Sequence, residues 1–516
     1  MAKILKYVGS FFGLTMEWLL VFTVVAAFAI RTSPFQTFLA QQLASYLSSE
    51  LNTTISISKV DIVFFDRVSI EGLTIMDQYN DTLVSTPKLM ATIDEFDIEE
   101  NVFKLNEVEL DGGSIKVQKS KKGIMNYQFL VDYFSSEDPS TSPPLRLSVS
   151  TINLENVTLE YNDQSAPLLT FGVDFNHLKL NNLSVVLSSF NLNNDVFSCQ
   201  LDKLTFGEKS GFRLNEFTSS VSIGPRGISF KNMFVSLPDS KLSASHFRLI
   251  YRDWSSFDHF EDSVFFDASI DASELSFKDI SFWVPTIEGM TDKFKIKGSI
   301  SDNLSKLKLN NFEVRLFNQT YLRGDFMLPD FRKKDFSSFN AQISSSYLDF
   351  DELAKMRLPK RSASFDMSFF QKKMRYLELK GIDCVGSIEQ VILKANEINS
   401  KNGRINIRNP VKISSSGQTF KITSQKDEEA ASLDLQGVNL AELLDEKNIG
   451  IVEGKLKFSA LNFSDDGSFL VEDLSGDISK AVVNGYNYRN IKIISPAIDQ
   501  KEFQGKVEIS DPNLKL

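Results

Sequence analysis

Two cysteines, three histidines and three tryptophans are all that 516 residues hold of those types. Cys199 and Cys384 cannot build a disulfide-dense framework or a four-cysteine zinc site. They sit in different parts of the pattern and read as two buried thiols, with pairing left open in an oxidising compartment. His177, His246 and His259 do not stand at metal-motif spacing. A basic stripe is also missing. The 56 Lys and Arg are scattered singly against 67 Asp and Glu, for a net charge of -11, which argues against a nucleic-acid partner. No G-x-x-x-x-G-K-[ST], H-E-x-x-H or G-x-S-x-G motif occurs. Ser305 with Lys308, and Ser85 with Lys88, fit S-x-x-K, but two fixed common residues recur by chance in a chain this long. The run Asp94, Glu95, Asp97, Glu99, Glu100 reads as a solvated loop between strands. The chain is therefore expected not to be an enzyme, and to need no metal or cofactor.

What is present is a folding composition, 42% hydrophobic and 24% charged. Lys3 and Lys6 precede an apolar stretch from Val8 to Ile30. Its apolar residues include Val8, Phe11, Phe12, Leu14, Trp18, Leu19, Leu20, Val21, Phe22, Val24, Val25, Phe28 and Ile30. That length suffices for a spanning helix, which needs roughly 20 residues. Glu17 costs about 3 kcal/mol near the centre, against about 5 kcal/mol from the Leu, Val, Ile and Phe residues. The sum predicts a membrane anchor, and Lys3 and Lys6 keep the N-terminus cytoplasmic with the rest of the chain exported. A cleaved signal peptide, with Ala27-Phe28-Ala29 as the cleavage pattern, is the competing reading.

From Pro34 the segment PFQTFLAQQLASYLSSEL places Phe35, Phe38, Leu39, Leu43, Tyr46, Leu47 and Leu51 on one helical stripe, with Ser33 as N-cap. This amphipathic helix spans 32–52. It lies at a membrane interface, closes the end of a β structure, or packs on a neighbouring sheet; its lack of Lys and Arg favours the last. After Asn52 the period becomes 2. Phe103 and Leu105, Ile115 and Val117, Phe294 and Ile296, and Leu307 and Leu309 alternate with polar residues. So do Phe312, Val314 and Leu316, then Ile405 and Ile407, then Leu456 and Phe458. These are the candidate groove-lining residues. One apolar and one solvated face is the antiparallel-sheet signature, and turn residues suggest roughly 30 strands.

Residues 1–31 thus read as a cytoplasmic tip and anchor, 53–134 as an N-terminal β unit, 135–144 as a Pro/Ser-rich linker and 145–516 as a repeating array. The repeat rests on three segments. Aligning Ile270, Ile343 and Leu433 also aligns Phe277, Phe350 and Leu440, and the acidic Asp279, Glu352 and Glu442. The acid falls in the first turn of a short helix, where it suits the helix dipole. Phenylalanine is the outlier at 44 residues. It fits a greasy groove or an AT-rich genome equally well.

These parts, in this order, resemble the TamB branch of the AsmA-like envelope proteins. The likeness runs from the anchor through LNTTISISKVDI, GLTIMD, NDTLVSTPKL and the element Lys122 to Tyr127, and on to DASELSF and GVNLAELL. A Phe- and Asn-rich flavour looks like a Bacteroidota-type member. The resemblance implies a mainly β fold: a long, curved antiparallel sheet forming a taco-like groove, with a transmembrane helix and short helices between repeats. It implies that the anchor sits in the inner membrane, with phospholipid transport through the periplasm toward the outer membrane. The implied partner is a BamA- or TamA-like barrel, met through a C-terminal region beyond Leu516. Members are usually longer, so the chain is read as an N-terminal portion. Two alternatives stay open: a scaffold for outer-membrane barrel assembly, or an adhesin-like sandwich array with a filled core.

Overall fold

A computed structural model describes residues 23, 29, 31–63, 66–97, 102–134, 146–193, 195–329, 339–360, 367–387, 390–416, 419–426, 429–445, 447–464, 469–499, 503–512 and 514–515. The thirteen anchor residues named above, Glu99, Glu100 and the linker 135–144 lie outside that set. Among the described residues no helix is long and apolar enough to cross a membrane. The protein is mainly β, with twenty-nine strands and a few short helices among the described residues. It divides into two compact units, residues 1–225 with 232–238, and residues 226–231 with 239–516.

In the first unit a helix, Ser33–Glu50, lies along the edge made by strands Ile55–Ser56 and Lys59–Val63. Both strands pair on their other side with Arg67–Met76. The helix meets them with polar side chains. Thr37 Oγ1 donates to Val60 O at 3.1 Å and accepts from Val60 N at 2.9 Å. Ser33 Oγ also donates to Val60 O, and Gln36 Oε1 accepts from Ile62 N at 2.8 Å. Gln41 Nε2 donates to Ile57 O, and Ser48 Oγ accepts from Ile55 N at 2.8 Å. An unpaired sheet edge invites further strands, and a buried backbone group without a partner costs about 1–3 kcal/mol. The helix removes both liabilities. Ser33 is therefore not the N-cap: Thr32 holds that position, without a side-chain cap, and Ser33 is spent on the edge.

Long strands dominate the rest of this unit, up to the 18 residues of Arg146–Asp163. One departure from antiparallel order appears. Val102–Asp111 and Ser114–Lys119 both run parallel to Arg146–Asp163, so they act as one strand interrupted at Gly112 and Gly113. Gly113 has φ +123°, and an added Cβ would fall 2.5 Å from Ser85 O, so only glycine fits. The intervening residues 120–145 have the length a parallel crossover requires. Asn126 anchors its start: its Nδ2 donates to Asp77 Oδ2 and Lys116 O, and its Oδ1 accepts from Gln118 N. Asp94, Glu95 and Asp97 sit in strand Thr82–Asp97, not in a loop, with Glu95 paired to Lys104.

The second unit is an antiparallel succession from Lys241–Ile250 to Phe503–Asp511. The twenty-nine described strands agree with the roughly 30 expected, although several Asn, Gly and Asp residues lie inside strands and not in turns. Asn311 (φ 47°), Gly381 (58°), Gly437 (62°), Asp473 (51°) and Asn490 (52°) are left-handed. Each has an apolar residue two positions before and one after it, as in Leu309, Asn311, Phe312. Around Asn311 and Gly437 the pairing register shifts, marking β-bulges. Gly72, Asn156, Asn182 and Asn232 have the same sequence context and the same handedness. One left-handed residue moves the apolar set from odd to even positions. It keeps that set on one face while bending the strand.

The three aligned segments also match in structure. Helices Phe277–Ile280, Phe350–Leu353 and Leu440–Leu444 follow strands Phe265–Ser276, Phe339–Asp349 and Ala431–Asn439. Ser276, Asp349 and Asn439 cap them with their side chains. The conserved spacing of the acid serves more than the helix dipole. Asp279 accepts from Asp239 N and Ser240 Oγ. Glu352 accepts from the backbone of Asn318, Gln319 and Thr320 and from Thr320 Oγ1. Glu442 pairs with Lys401 at 3.0 Å. Each acid pins the turn that leads into the strand beside its own.

Candidate functional site: a two-faced sheet

Following cross-strand partners through the second unit exposes a continuous row. It runs Ser273, Ile296, Val314, Leu322, Ser346, Leu379 and Ile398. It continues through Ile405, Leu435, Gly454, Ile478, Ile491 and Ile509. Thirteen strands contribute, and only two serines and one glycine interrupt the apolar series. Beside it lie Phe294 with Leu316, and Ile300 with Leu309 and then Phe326.

The opposite face carries charge in alternation. Lys297 is opposite Glu313 and Glu313 opposite Arg323. Further on, Asp434, Lys455, Asp477, Lys492 and Glu508 follow one another across five strands. Opposite charges placed directly across a strand pair contribute roughly 0.2–1 kcal/mol each. Glu313 is a hub: Arg323 lies at 2.6 Å and Arg315 at 3.1 Å. Arg323, then Arg315, hold its carboxyl below the usual glutamate range. A 340 Å³ hollow is lined by Glu274, Lys295, Lys297, Glu313 and Arg315 together with Ala272, Ser273 and Ile296, the last two being the first members of the apolar row.

The predicted lining residues divide by burial. Phe294, Ile296, Leu307, Leu309, Val314, Leu316, Ile405 and Leu456 are half-buried. Phe312, Ile407 and Phe458 are buried. Ile407 and Phe458 belong to one cluster with Ile382, Ala395, Val411 and Ala431. Leu433 stands across from both Ile407 and Leu456. Phe294 is covered by the ring of Phe277, at 4.5 Å between centroids. Phe103, Leu105, Ile115 and Val117 lie in the first unit, half-buried, opposite Leu147, Val149, Leu159 and Tyr161. Leu322, Leu379, Ile398 and Ile491 also join the row, and the left-handed Gly381 and Asn490 shift the alternation beside Leu379 and Ile491. The pattern apolar-x-[Asn/Gly/Asp]-apolar finds Leu379 and Ile491.

Burial is uneven along this apolar surface. Among the described residues the largest wholly buried side chains are valines: Val157, Val264, Val411 and Val438. Phe458 is 3% exposed and Ile382 and Ile478 are 4% exposed, so the interior is closed at two clusters, whereas Ile296, Val314 and Leu322 stay half-buried.

Ser305 and Lys308, which fit S-x-x-K, have separate partners. Ser305 bonds Asp262 while Lys308 pairs with Asp302. Cys199 is buried and Cys384 half-buried, both free, and burial raises both thiol pKa values. Among the described residues no group of three His, Cys, Asp or Glu is placed to hold a metal ion. No protein-family model, curated protein or solved structure matches this chain.

Proposed function

We propose that the chain is a membrane-anchored conduit for phospholipid, with acyl chains lying against the apolar face of the second unit and headgroups in water. The observation that supports this reading is the thirteen-strand apolar row, half-buried at Ile296, Val314, Leu322, Leu379, Ile398, Ile405 and Ile509 and closed into a core cluster at Leu435, Ile478 and Ile491, with two runs of alternating charge on the other face. At about 4.8 Å per strand the row extends roughly 58 Å. That is about four times half the ~30 Å hydrocarbon core of a bilayer, the depth one acyl chain occupies. A single-lipid pocket needs no such length, whereas a path does. The half-buried members of the row leave apolar surface in need of a partner, and acyl chains match it because they make no polar demands.

In this reading the sheet is the repeating groove of an envelope protein of the TamB type. Residues 8–30 hold it at the inner membrane, the bulk is periplasmic, and no catalytic step is involved. A BamA- or TamA-like barrel would receive the lipid at the outer membrane. Organic extraction of the full chain purified in mild detergent, followed by mass spectrometry, tests the reading. We expect phospholipid at one or more molecules per protein. Lipid no higher than in an unrelated single-pass protein prepared in parallel would contradict it.

A further inference from the structure

The helix Ser33–Glu50 is turned the opposite way from an ordinary sheet-packed helix. Its polar side chains Ser33, Gln36, Thr37, Gln41 and Ser48 hydrogen-bond the sheet edge. Its apolar side chains Phe38, Leu39, Leu43 and Tyr46 are 53%, 49%, 57% and 57% exposed. At 100° per residue these four share one face, roughly opposite the buried Ala44. The helix has no basic residue and a single acid, Glu50, at its last position. Orienting the stripe outward costs hydrophobic stabilisation that the sheet could have supplied, so the exposed face needs its own partner.

We infer that this face seats on the surface of a phospholipid bilayer, fixing the near end of the sheet against the membrane. Two features favour a bilayer over other occupants. The apolar stretch that ends at Ile30 stops three residues before the helix begins. A chain leaving a bilayer there delivers this helix at the interface. The face is also uncharged and carries two aromatic residues, Phe38 and Tyr46, and tyrosine is favoured where hydrocarbon meets water. Attachment then comes from apolar burial rather than from attraction to anionic lipid. The inference rests on residues 8–30 being membrane-embedded. It goes further in giving the helix a defined orientation: edge bonds toward the protein, the aromatic stripe toward lipid.

The test uses the full-length chain with Cys199→Ser and Cys384→Ser, reconstituted in phosphatidylethanolamine/phosphatidylglycerol vesicles. Single cysteines replace Leu39, Leu43 and, as a water reference, the 76% exposed Tyr79. Each carries a nitroxide, and collision with oxygen is compared with collision with a water-soluble nickel chelate. At 39 and 43 we expect oxygen to dominate by several-fold, with the reverse at 79. Nickel dominating at 39 and 43 in protein that resists carbonate extraction would overturn the inference while leaving the anchor intact. Labels shielded from both reagents, in vesicles and detergent alike, would assign the face to a protein segment. Dipolar broadening between labels would assign it to a second copy. Either result overturns the bilayer seat. Protein released by carbonate would remove the anchor and, with it, this inference.

Discussion

At the residue scale, single side chains decide whether a strand edge, a turn or a face is satisfied. Asp163 is the clearest electrostatic case. Ser165 donates to its carboxylate from both hydroxyl and backbone N–H, at 2.6 and 2.9 Å, and Lys119 lies at 3.0 Å. The Ser165 bonds first, and then Lys119, lower its pKa from 3.8 to about 2. A carboxyl whose folded pKa is depressed adds stability above its unfolded pKa and loses it as the pH falls through the folded value. The contacts between Ser114–Lys119 and Arg146–Asp163 should therefore weaken between about pH 4 and pH 2. Hydrogen exchange of those strands should accelerate across that window, and Asp163→Asn should flatten the dependence. An unchanged pH profile in Asp163→Asn would show that the carboxylate does not set it. Glu313 illustrates the converse caution. It neighbours the apolar row in sequence, yet its two arginine partners make it part of the charged lattice, so reversing its charge would disturb the sheet itself.

Elements are shaped by the left-handed residues within them. Asn311 has φ 47°, and its backbone N–H donates to Asp325 Oδ1 at 2.6 Å, a bond that any residue there retains. What the position demands is the conformation. Asn311→Gly should leave stability nearly unchanged, whereas Asn311→Ile should cost about 1–2 kcal/mol, since a β-branched residue resists that region. Urea denaturation of the two variants checks this. Equal stability would mean the bulge relaxes at no cost. The partner strand is tuned to the same feature. Gly298 lies where an added Cβ would sit 2.7 Å from Phe312 Cα.

The same elements show what the sequence could reveal. Strict alternation in KFKIK and KLKL identifies strands and their apolar faces directly, because each pleat reverses the side chain. The acid at Asp279, Glu352 and Glu442 was legible as a repeat, since turn-plus-helix units recur at matching positions. Mid-strand Asn and Gly residues are ambiguous in sequence. By propensity they signal turns, and only the pairing distinguishes a turn from a bulge. The outward orientation of Phe38, Leu39, Leu43 and Tyr46 was hidden for a different reason. An apolar helical stripe predicts burial, but it cannot say that a sheet edge will recruit the polar side instead. The parallel pairing of Val102–Asp111 with Arg146–Asp163 was likewise invisible, because alternation is blind to strand direction.

At the scale of the whole molecule, the central claim is that the apolar row of the second unit carries lipid while the charged row meets water. Leu309 and Asn310 are adjacent residues on opposite faces, the first half-buried opposite Ile300, the second exposed opposite Ser299. A carboxylate at 309 would have to be desolvated among acyl chains or draw water into their path. At 310 it is nearly isosteric with the amide and stays wet. Against mobile lipid the fold tolerates Leu309→Asp, but in a filled core the same change buries an unpaired charge and unfolds the protein.

The most direct measurement is photo-crosslinking from a probe at Val314, on the row, and from one at Lys295, on the charged face, in full-length protein within native membranes. The account predicts phospholipid adducts from 314 and not from 295. Leu309→Asp should abolish them in protein that keeps its protease resistance and melting temperature, and Asn310→Asp should leave them unchanged. Equal adducts from both faces, no adduct at 314 in folded protein, or gross unfolding by Leu309→Asp would contradict it.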